Sequence, residues 1–351
     1  MNYTENYRSS LEECVKAVPA RRKLFGKKVL ITGGTGMIGS AVVELLHTLN
    51  RTEQAGITIY LAGRSLERIR NRFEGFMQES DYTFLQYDAA KSDELFATVD
   101  YIIHGACNAS PAAYQKEPVE TMLSNLLGVS TLLKLAVKNP GSRLLYLSSS
   151  EVYGRKEDNV PYEETDYGYV DILNPRACYP SAKRASETLC VSYGAEYGVD
   201  TVIVRPGHIY GPTISRSDNK ASTQFTWNVV DGEDIVMKSA GDQLRSYCYT
   251  MDCASAVLAV LTSGICGEAY NISNKNSIVT IRELAEALAQ EGGRNIVFEN
   301  PTDAEKKGYN LMSNSSLDAE KLEKLGWKAQ FDLKTGVRQT LEVLKKQESE
   351  V

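Results

Sequence analysis

With 351 residues, 42% of them hydrophobic and 24% charged, the chain is long enough to bury one large core, or a large domain with a smaller cap. A formal net charge of -6 gives nucleic acid no attractive field, and no apolar run approaches the roughly 18 residues that a membrane span needs. Seven cysteines without paired metal-ligand spacing, and no secretory leader pattern, predict free thiols, no metal and a reducing cytoplasm.

Residues 1–26 form an N-terminal extension in which Ser10 is placed to cap a short helix through Val18, ended by Pro19. From Lys28 the pattern becomes strand, glycine turn, helix, strand. The loop Gly33-Gly34-Thr35-Gly36-Met37-Ile38-Gly39 offers backbone N–H groups and a helix N-terminus to a dinucleotide pyrophosphate. Gly33, Gly36, Met37, Ile38 and Gly39 are its contact residues. After the second strand stands Arg64 where an acid usually meets the adenosine ribose, so Arg64 either meets a ribose phosphate or stacks near adenine, and NADP stays open beside NAD. Asp88, ending the strand Phe84–Asp88, accepts from the adenine amino group or caps the next helix.

The fourth strand, Tyr101–His104, leads into small residues at Gly105 and Ala106 that let the backbone approach a nicotinamide-side ribose. His104, at the end of an apolar strand, reads as structural. In the long helix over 117–137, the Asn125 amide orders a proton-relay water or bonds a neighbouring carbonyl. Strand Leu144–Leu147 delivers Ser148–Gly154 to the C-terminal sheet edge, where open α/β sheets present their chemistry. Ser149 there has a hydroxyl for a sugar oxygen, Ser150 lies beside it, and Glu151 brings an acid or base.

A polar, proline-bearing loop over 155–175 precedes a helix carrying Tyr179, Lys183 and Glu187 at four-residue intervals. A cation one helical turn from a phenol favours the phenolate, which makes Tyr179 and Lys183 a proton-transfer pair that also reaches the cofactor. Glu187 has Arg184 or Lys183 within helical reach as a partner. Strand Val202–Pro206 is followed by His208, Tyr210 and Gly211 in a turn. Past residue 212 the alternation weakens into helices over 221–231 and 280–291, with Gln224, Trp227 and Asn228 as pocket candidates. Arg245 has the planar donor fork that suits a diphosphate, and Asp252 sits as the N-cap of a further helix.

These elements predict an α/β fold: a Rossmann-type, doubly wound parallel sheet with a smaller C-terminal substrate-binding region. The dinucleotide-binding domain with the catalytic residues covers mainly 27–212, and the substrate region covers mainly 213–345. Segments near 240–275 return to the main domain, and 346–351 form a charged tail.

Over residues 27–345 the chain resembles the extended short-chain dehydrogenases/reductases of the NAD-dependent sugar-nucleotide epimerase/dehydratase family. The resemblance lies in the glycine loop, in Asn108-Ala109-Ser110-Pro111 with Tyr114, Pro118 and Asn125, in Ser148–Gly154, in the Tyr179/Lys183 pair, and in Arg205-Pro206, Tyr210-Gly211-Pro212 and Arg245-Ser246-Tyr247. Within that family, Asn174-Pro175-Arg176-Ala177-Cys178-Tyr179 is similar to the UDP-glucuronate decarboxylases. The resemblance implies Tyr179 as base at the sugar 4-hydroxyl and Lys183 lowering its pKa and holding cofactor ribose. It further implies Ser149 orienting substrate, Glu151 assisting, and Arg245 on the diphosphate, with Ser110, Pro111, Ser150, Arg176, His208 and Gln224 also lining the substrate site. It implies NAD, a UDP-linked sugar and a homodimer formed through helices 117–137 and 176–193. Ser150 stands where a 4,6-dehydratase carries Asp, which favours decarboxylation over dehydration, with epimerase, dehydratase or reductase chemistry as the alternative and a non-catalytic dinucleotide-binding role as a third.

Overall fold

The computed structural model describes residues 3–91, 94–107, 109, 111–157, 159–216, 218–302 and 312–348. Its strands are β1 Lys28–Thr32, β2 Thr58–Gly63, β3 Thr83–Gln86, β4 Tyr101–His104, β5 Arg143–Leu147, β6 Asp200–Pro206, β7 His208–Tyr210, β8 Ile235–Met237, β9 Leu244–Tyr249, β10 Ala269–Ile272, β11 Ile278–Thr280, β12 Ile296–Phe298 and β13 Asn314–Ser315. The helices are α1 Glu5–Ala17, α2 Met37–Glu53, α3 Leu66–Phe73, α4 Pro111–Lys116, α5 Pro118–Lys138, α6 Cys178–Tyr197, α7 Ala221–Val230, α8 Thr250–Ser263, α9 Ile281–Gly292, α10 Glu320–Glu323 and α11 Leu333–Glu348.

Seven parallel strands build the main sheet in the order β10-β6-β5-β4-β1-β2-β3. Val29, Leu30 and Ile31 are sealed from solvent, as are Ile102, Leu144, Leu145, Val202 and Val204, because both faces of the sheet are covered by helices. The order of strand addition reverses between β1 and β4, which run parallel, and ligands of such sheets bind at the carboxyl ends of the strands flanking that switch point. The last strand, β10, arrives after an excursion through a second region. That region holds a four-stranded sheet, with β9 paired to β7, β11 and β13, and a two-stranded sheet of β8 and β12.

The N-terminal helix differs from the sequence expectation. α1 starts at Glu5, and its cap is Thr4, whose hydroxyl accepts the Tyr7 N–H; Ser10 lies in mid-helix and is buried. The reason is the apolar stripe of Tyr7, Leu11, Cys14 and Val15, which needs the earlier start to lie flat on the body. Glu44 of α2, fully buried, accepts from the hydroxyls of Tyr3 and Tyr7 and from Arg72 at 2.7–2.9 Å. A buried carboxylate is tolerated only with such partners, so α1 is stapled to the helix behind the glycine loop.

Asp252 is likewise not a cap. It lies in the first turn of α8, and its carboxylate accepts the backbone N–H groups of Gln330 and Phe331 at 2.7 and 3.1 Å, which fixes the C-terminal segment against the core. Burial pushes its pKa up to about 7. Among the described residues, no helix is long and apolar enough to cross a membrane.

Candidate active site

The glycine loop is shaped by what a side chain would meet. Gly33 has φ +72°, and a Cβ there would sit 2.6 Å from the Gly105 carbonyl carbon, so only glycine lets the loop press against the end of β4. At Gly39 a Cβ would overlap the Gly33 carbonyl oxygen, so the first turn of α2 closes onto the loop. α2 begins at Met37 behind Gly36 with no side chain capping it, which leaves the N–H groups of Met37, Ile38 and Gly39 available to an anion. Thr32 ties the crevice together: its hydroxyl accepts the Ala106 N–H and lies 2.7 Å from His104 Nδ1. His104 is buried, and burial followed by the nearby Lys183 holds its pKa down to about 3, so the ring is a neutral structural partner.

On the adenosine side, Arg64 is exposed just past β2, and among the described residues only its backbone carbonyl has a partner, the Gln86 amide. One Asp88 oxygen accepts the Ala90 N–H within a turn, so Asp88 caps no helix among the described residues, and no described group meets its other oxygen. Asn125 is buried and donates its amide to the Thr121 carbonyl, while its side-chain oxygen has no partner among the described residues.

The catalytic candidates converge at the mouths of β5 and β6. Tyr179 and Lys183 face the end of β5 from α6, both buried. Lys183 Nζ donates to the Leu147 carbonyl at 2.7 Å and lies 5.7 Å from the Tyr179 ring centroid and 4.7 Å from that of Tyr146. Burial holds the Tyr179 pKa above that of an ordinary tyrosine, while Lys183 and the Ser149 hydroxyl pull it down. Desolvation wins in this pocket, and the pair favours the phenolate less than the spacing alone predicts. Ser149 caps the short 3-10 turn Ser150–Tyr153 by accepting the Glu151 N–H, and Ser150 within that turn is buried.

Glu151 and Arg176 form a two-pronged pair, with Nη1 and Nη2 at 2.9 and 3.0 Å from the two carboxylate oxygens. Arg176 lies over the Tyr114 ring at 4.8 Å, and Tyr114 stacks on Tyr179 at 4.5 Å and 17°. Acid, guanidinium and two phenols thus make one column.

Arg245 is buried on β9 with the Leu244 carbonyl as its acceptor, and burial lowers its pKa. His208 lies opposite Tyr247 in the β7/β9 pairing, its ring 5.8 Å away. Its Nδ1 is sealed without a partner among the described residues, and burial followed by Arg245 and Lys220 pushes its pKa down to about 3. Gln224 is exposed on α7, whereas Trp227 is half-buried under Arg216 at 4.0 Å. Ser110 and Asn108 lie outside the described residues, as does the side chain of Pro111.

Glu187 pairs with neither Arg184 nor Lys183. It takes both prongs of Arg205 from β6, at 3.0 and 2.6 Å, and also accepts from the Ser148 hydroxyl. Arg205 continues to the Tyr153 hydroxyl, which donates to the Asn271 side chain on β10 at 2.6 Å. Arg184 clamps the carbonyls of Val152, Tyr153 and Gly168. The sequence signals for this scaffold are only the Arg205-Pro206 motif and the charge of Glu187, since its partners come from α6, from the segment after β5 and from β10, far apart in the chain.

The family model of the NAD dependent epimerase/dehydratase family matches residues 29–273. UDP-glucuronic acid decarboxylase 6 of Arabidopsis thaliana is 30% identical over 313 residues, covering 88% of this chain and 86% of the relative. UDP-glucuronic acid decarboxylase 1 of Xenopus tropicalis is 29% identical over 324 residues, covering 92% and 73%. Among solved structures, dTDP-glucose 4,6-dehydratase of Streptomyces venezuelae superposes with a TM-score of 0.78 at 25% identity, covering 92% of this chain and 98% of that one. An epimerase of Methanothermobacter thermautotrophicus superposes with a TM-score of 0.79 at 17% identity, covering 97% of each chain, a likeness of fold alone.

Proposed function

The chain belongs to the NAD dependent epimerase/dehydratase family, and within it we propose that the protein decarboxylates UDP-glucuronate to UDP-xylose. The observation that carries this reading is the near full-length likeness to proteins named UDP-glucuronic acid decarboxylase, joined to a site in which Glu151 and Arg176 stand beside the Tyr179 phenol.

A dinucleotide fits the residues present. The loop is tight enough to exclude any Cβ at Gly33 and Gly39, and the uncapped first turn of α2 meets a pyrophosphate with N–H groups and the positive end of its dipole. Gly36, Met37, Ile38 and Ala106 complete that contact, while Arg64, Asp88 and Asn125 border the adenosine and nicotinamide ends. A bound NAD would supply a hydride acceptor for sugar carbon 4 and the later return of that hydride, and the ketone at carbon 4, beta to the carboxylate, would take up the electron pair of the C5–C6 bond as carbon dioxide leaves.

The chain's own groups manage the protons. Tyr179 takes the proton of the 4-hydroxyl and gives it back at the end of the cycle. Lys183 holds a positive charge beside the phenol and opposes the burial that disfavours phenolate. Ser149 orients the oxygen at carbon 4, and Glu151 is the acid-base group beside the carbons that change. Arg176 lies next to the leaving carboxylate. Arg245 and His208 receive the diphosphate, Arg245 as its charged donor, with Ser150 and Gln224 along the rest of the cleft.

The protein acts as a homodimer through the outer faces of α5 and α6, where Val119, Met122, Leu123, Val137 and Val191 are exposed. Val129, Leu132 and Leu133 of the same helix are core. The reaction is assigned to the cytoplasm, in keeping with seven unpaired cysteines, five of them buried.

Incubation of the purified protein with UDP-glucuronate, with and without added NAD, tests the reading by mass analysis of the nucleotide products. The expected product is lighter by carbon dioxide, appears without net NADH, and is absent with Tyr179→Phe. Unchanged mass with altered sugar stereochemistry would make the protein an epimerase.

A further inference from the structure

A sugar carboxylate docked at Tyr179 arrives beside another carboxylate, that of Glu151. Glu151 is tied to the proton-transfer phenol through Arg176, which is forked on its carboxylate and packed on the Tyr114 ring that stacks on Tyr179, and its charge also reaches Tyr179 and Arg245. Two like charges at such spacing repel unless a cation lies between them. Arg176 is that cation. Two of its five N–H donors, one on each terminal nitrogen, are spent on Glu151, and its plane is packed on the Tyr114 ring.

The third nitrogen is the informative one. Nε of Arg176 is sealed from solvent and has no hydrogen-bond partner among the described residues. A sealed donor without an acceptor is costly, and a guanidinium whose end is already forked on one carboxylate still has a free side edge for a second. Tyr114 stacks on Tyr179, so that edge belongs to the same small group of side chains as the phenol that meets carbon 4.

We infer that Arg176 is the residue that selects an acid at sugar carbon 6: it stays forked on Glu151 and offers its Nε edge to the substrate carboxylate, so that one guanidinium holds two carboxylates side by side. This rests on the decarboxylase reading and adds a discriminating residue to it. A sugar with a hydroxymethyl group or hydrogen at that position leaves the Nε donor unmet and forgoes the charge-assisted contact.

Binding of UDP-glucuronate, UDP-glucose and UDP-xylose to the NAD-loaded protein, measured by calorimetry in a Tyr179→Phe background that stops turnover, tests this directly. Arg176→Met is expected to weaken UDP-glucuronate by about 10- to 100-fold while changing the other two by less than about threefold. Arg176→Lys keeps a point charge without the side edge and is expected to lose part of the same selectivity, which guards against a methionine variant that fails to fold. Glu151→Gln removes the repelling charge and is expected to bind UDP-glucuronate at least as tightly as before. An equal loss for all three nucleotide sugars, or no loss, overturns the inference. The decarboxylase reading fails separately, if the unaltered protein releases no carbon dioxide from UDP-glucuronate, whatever Arg176 does to binding.

Discussion

The dinucleotide crevice and the sugar cleft lie at the same edge of the same sheet, yet they are built in opposite ways. The crevice is made of backbone: Gly33, Gly36 and Gly39 lie within seven residues, and their function is to have no side chain. The cleft is made of long polar side chains brought together from afar, Glu151 with Arg176, Glu187 with Arg205, Tyr153 with Asn271. A backbone site tolerates almost nothing added, whereas a side-chain site tolerates almost nothing removed.

Tyr179→Phe gives the largest expected effect on the cleft: turnover falls by about 10²- to 10⁴-fold, read from product mass, while NAD binding persists because the crevice is untouched. If NAD binding is lost as well, the two sites are less separable than their construction implies. Glu187→Ala comes next. It leaves Arg205 buried without its carboxylate, and such a loss typically costs about 3–5 kcal/mol of stability, to be measured by denaturant unfolding.

Gly39→Ala probes the crevice by addition. The new methyl group overlaps the Gly33 carbonyl, so an overpacking penalty of about 1–3 kcal/mol is expected together with weaker NAD retention, and little change in UDP binding. The smallest effect at neutral pH belongs to His104. Its folded pKa, near 3, is below the unfolded value near 6.5, so above pH 6.5 the ring is neutral in both states and contributes no linkage. As the pH falls from 6.5 toward 3, the unfolded chain takes up a proton that the folded chain refuses, and stability is lost. His104→Asn should therefore have a flatter melting temperature over that window than the unaltered protein; equal slopes would mean that the ring is protonated in the fold.

The same contrast explains what could be read from sequence. The glycine loop was legible because a tight turn and a helix start are properties of adjacent residues. Tyr179 and Lys183 were legible because helical spacing puts them on one face. The partner of Glu187 was misread for the same reason: helical spacing offers Arg184 and Lys183, but β6 supplies Arg205, and no local rule announces a strand that packs under a helix. Ser10 was misread as a cap because its residue type suits one, whereas the buried stripe through Tyr7 and the carboxylate of Glu44 set the true start at Thr4. Resemblance singles out Arg176, but its grip on Glu151, 25 residues away, has no local signal in the sequence.

The position of β10 also governs the order in which the protein becomes itself during synthesis. Residues 28–206 emerge first and can form six strands, but β6 then remains an open edge, and the Tyr153 hydroxyl has no Asn271 to receive its proton. The strand that closes that edge and completes the support beneath α6 is made only after more than 60 further residues, 207–268, have passed through the second region. Nascent chains halted in that interval carry an exposed strand edge beside an incomplete ion network, which makes the passage from residue 207 to 272 the stretch of translation in which this protein most needs protection from its neighbours.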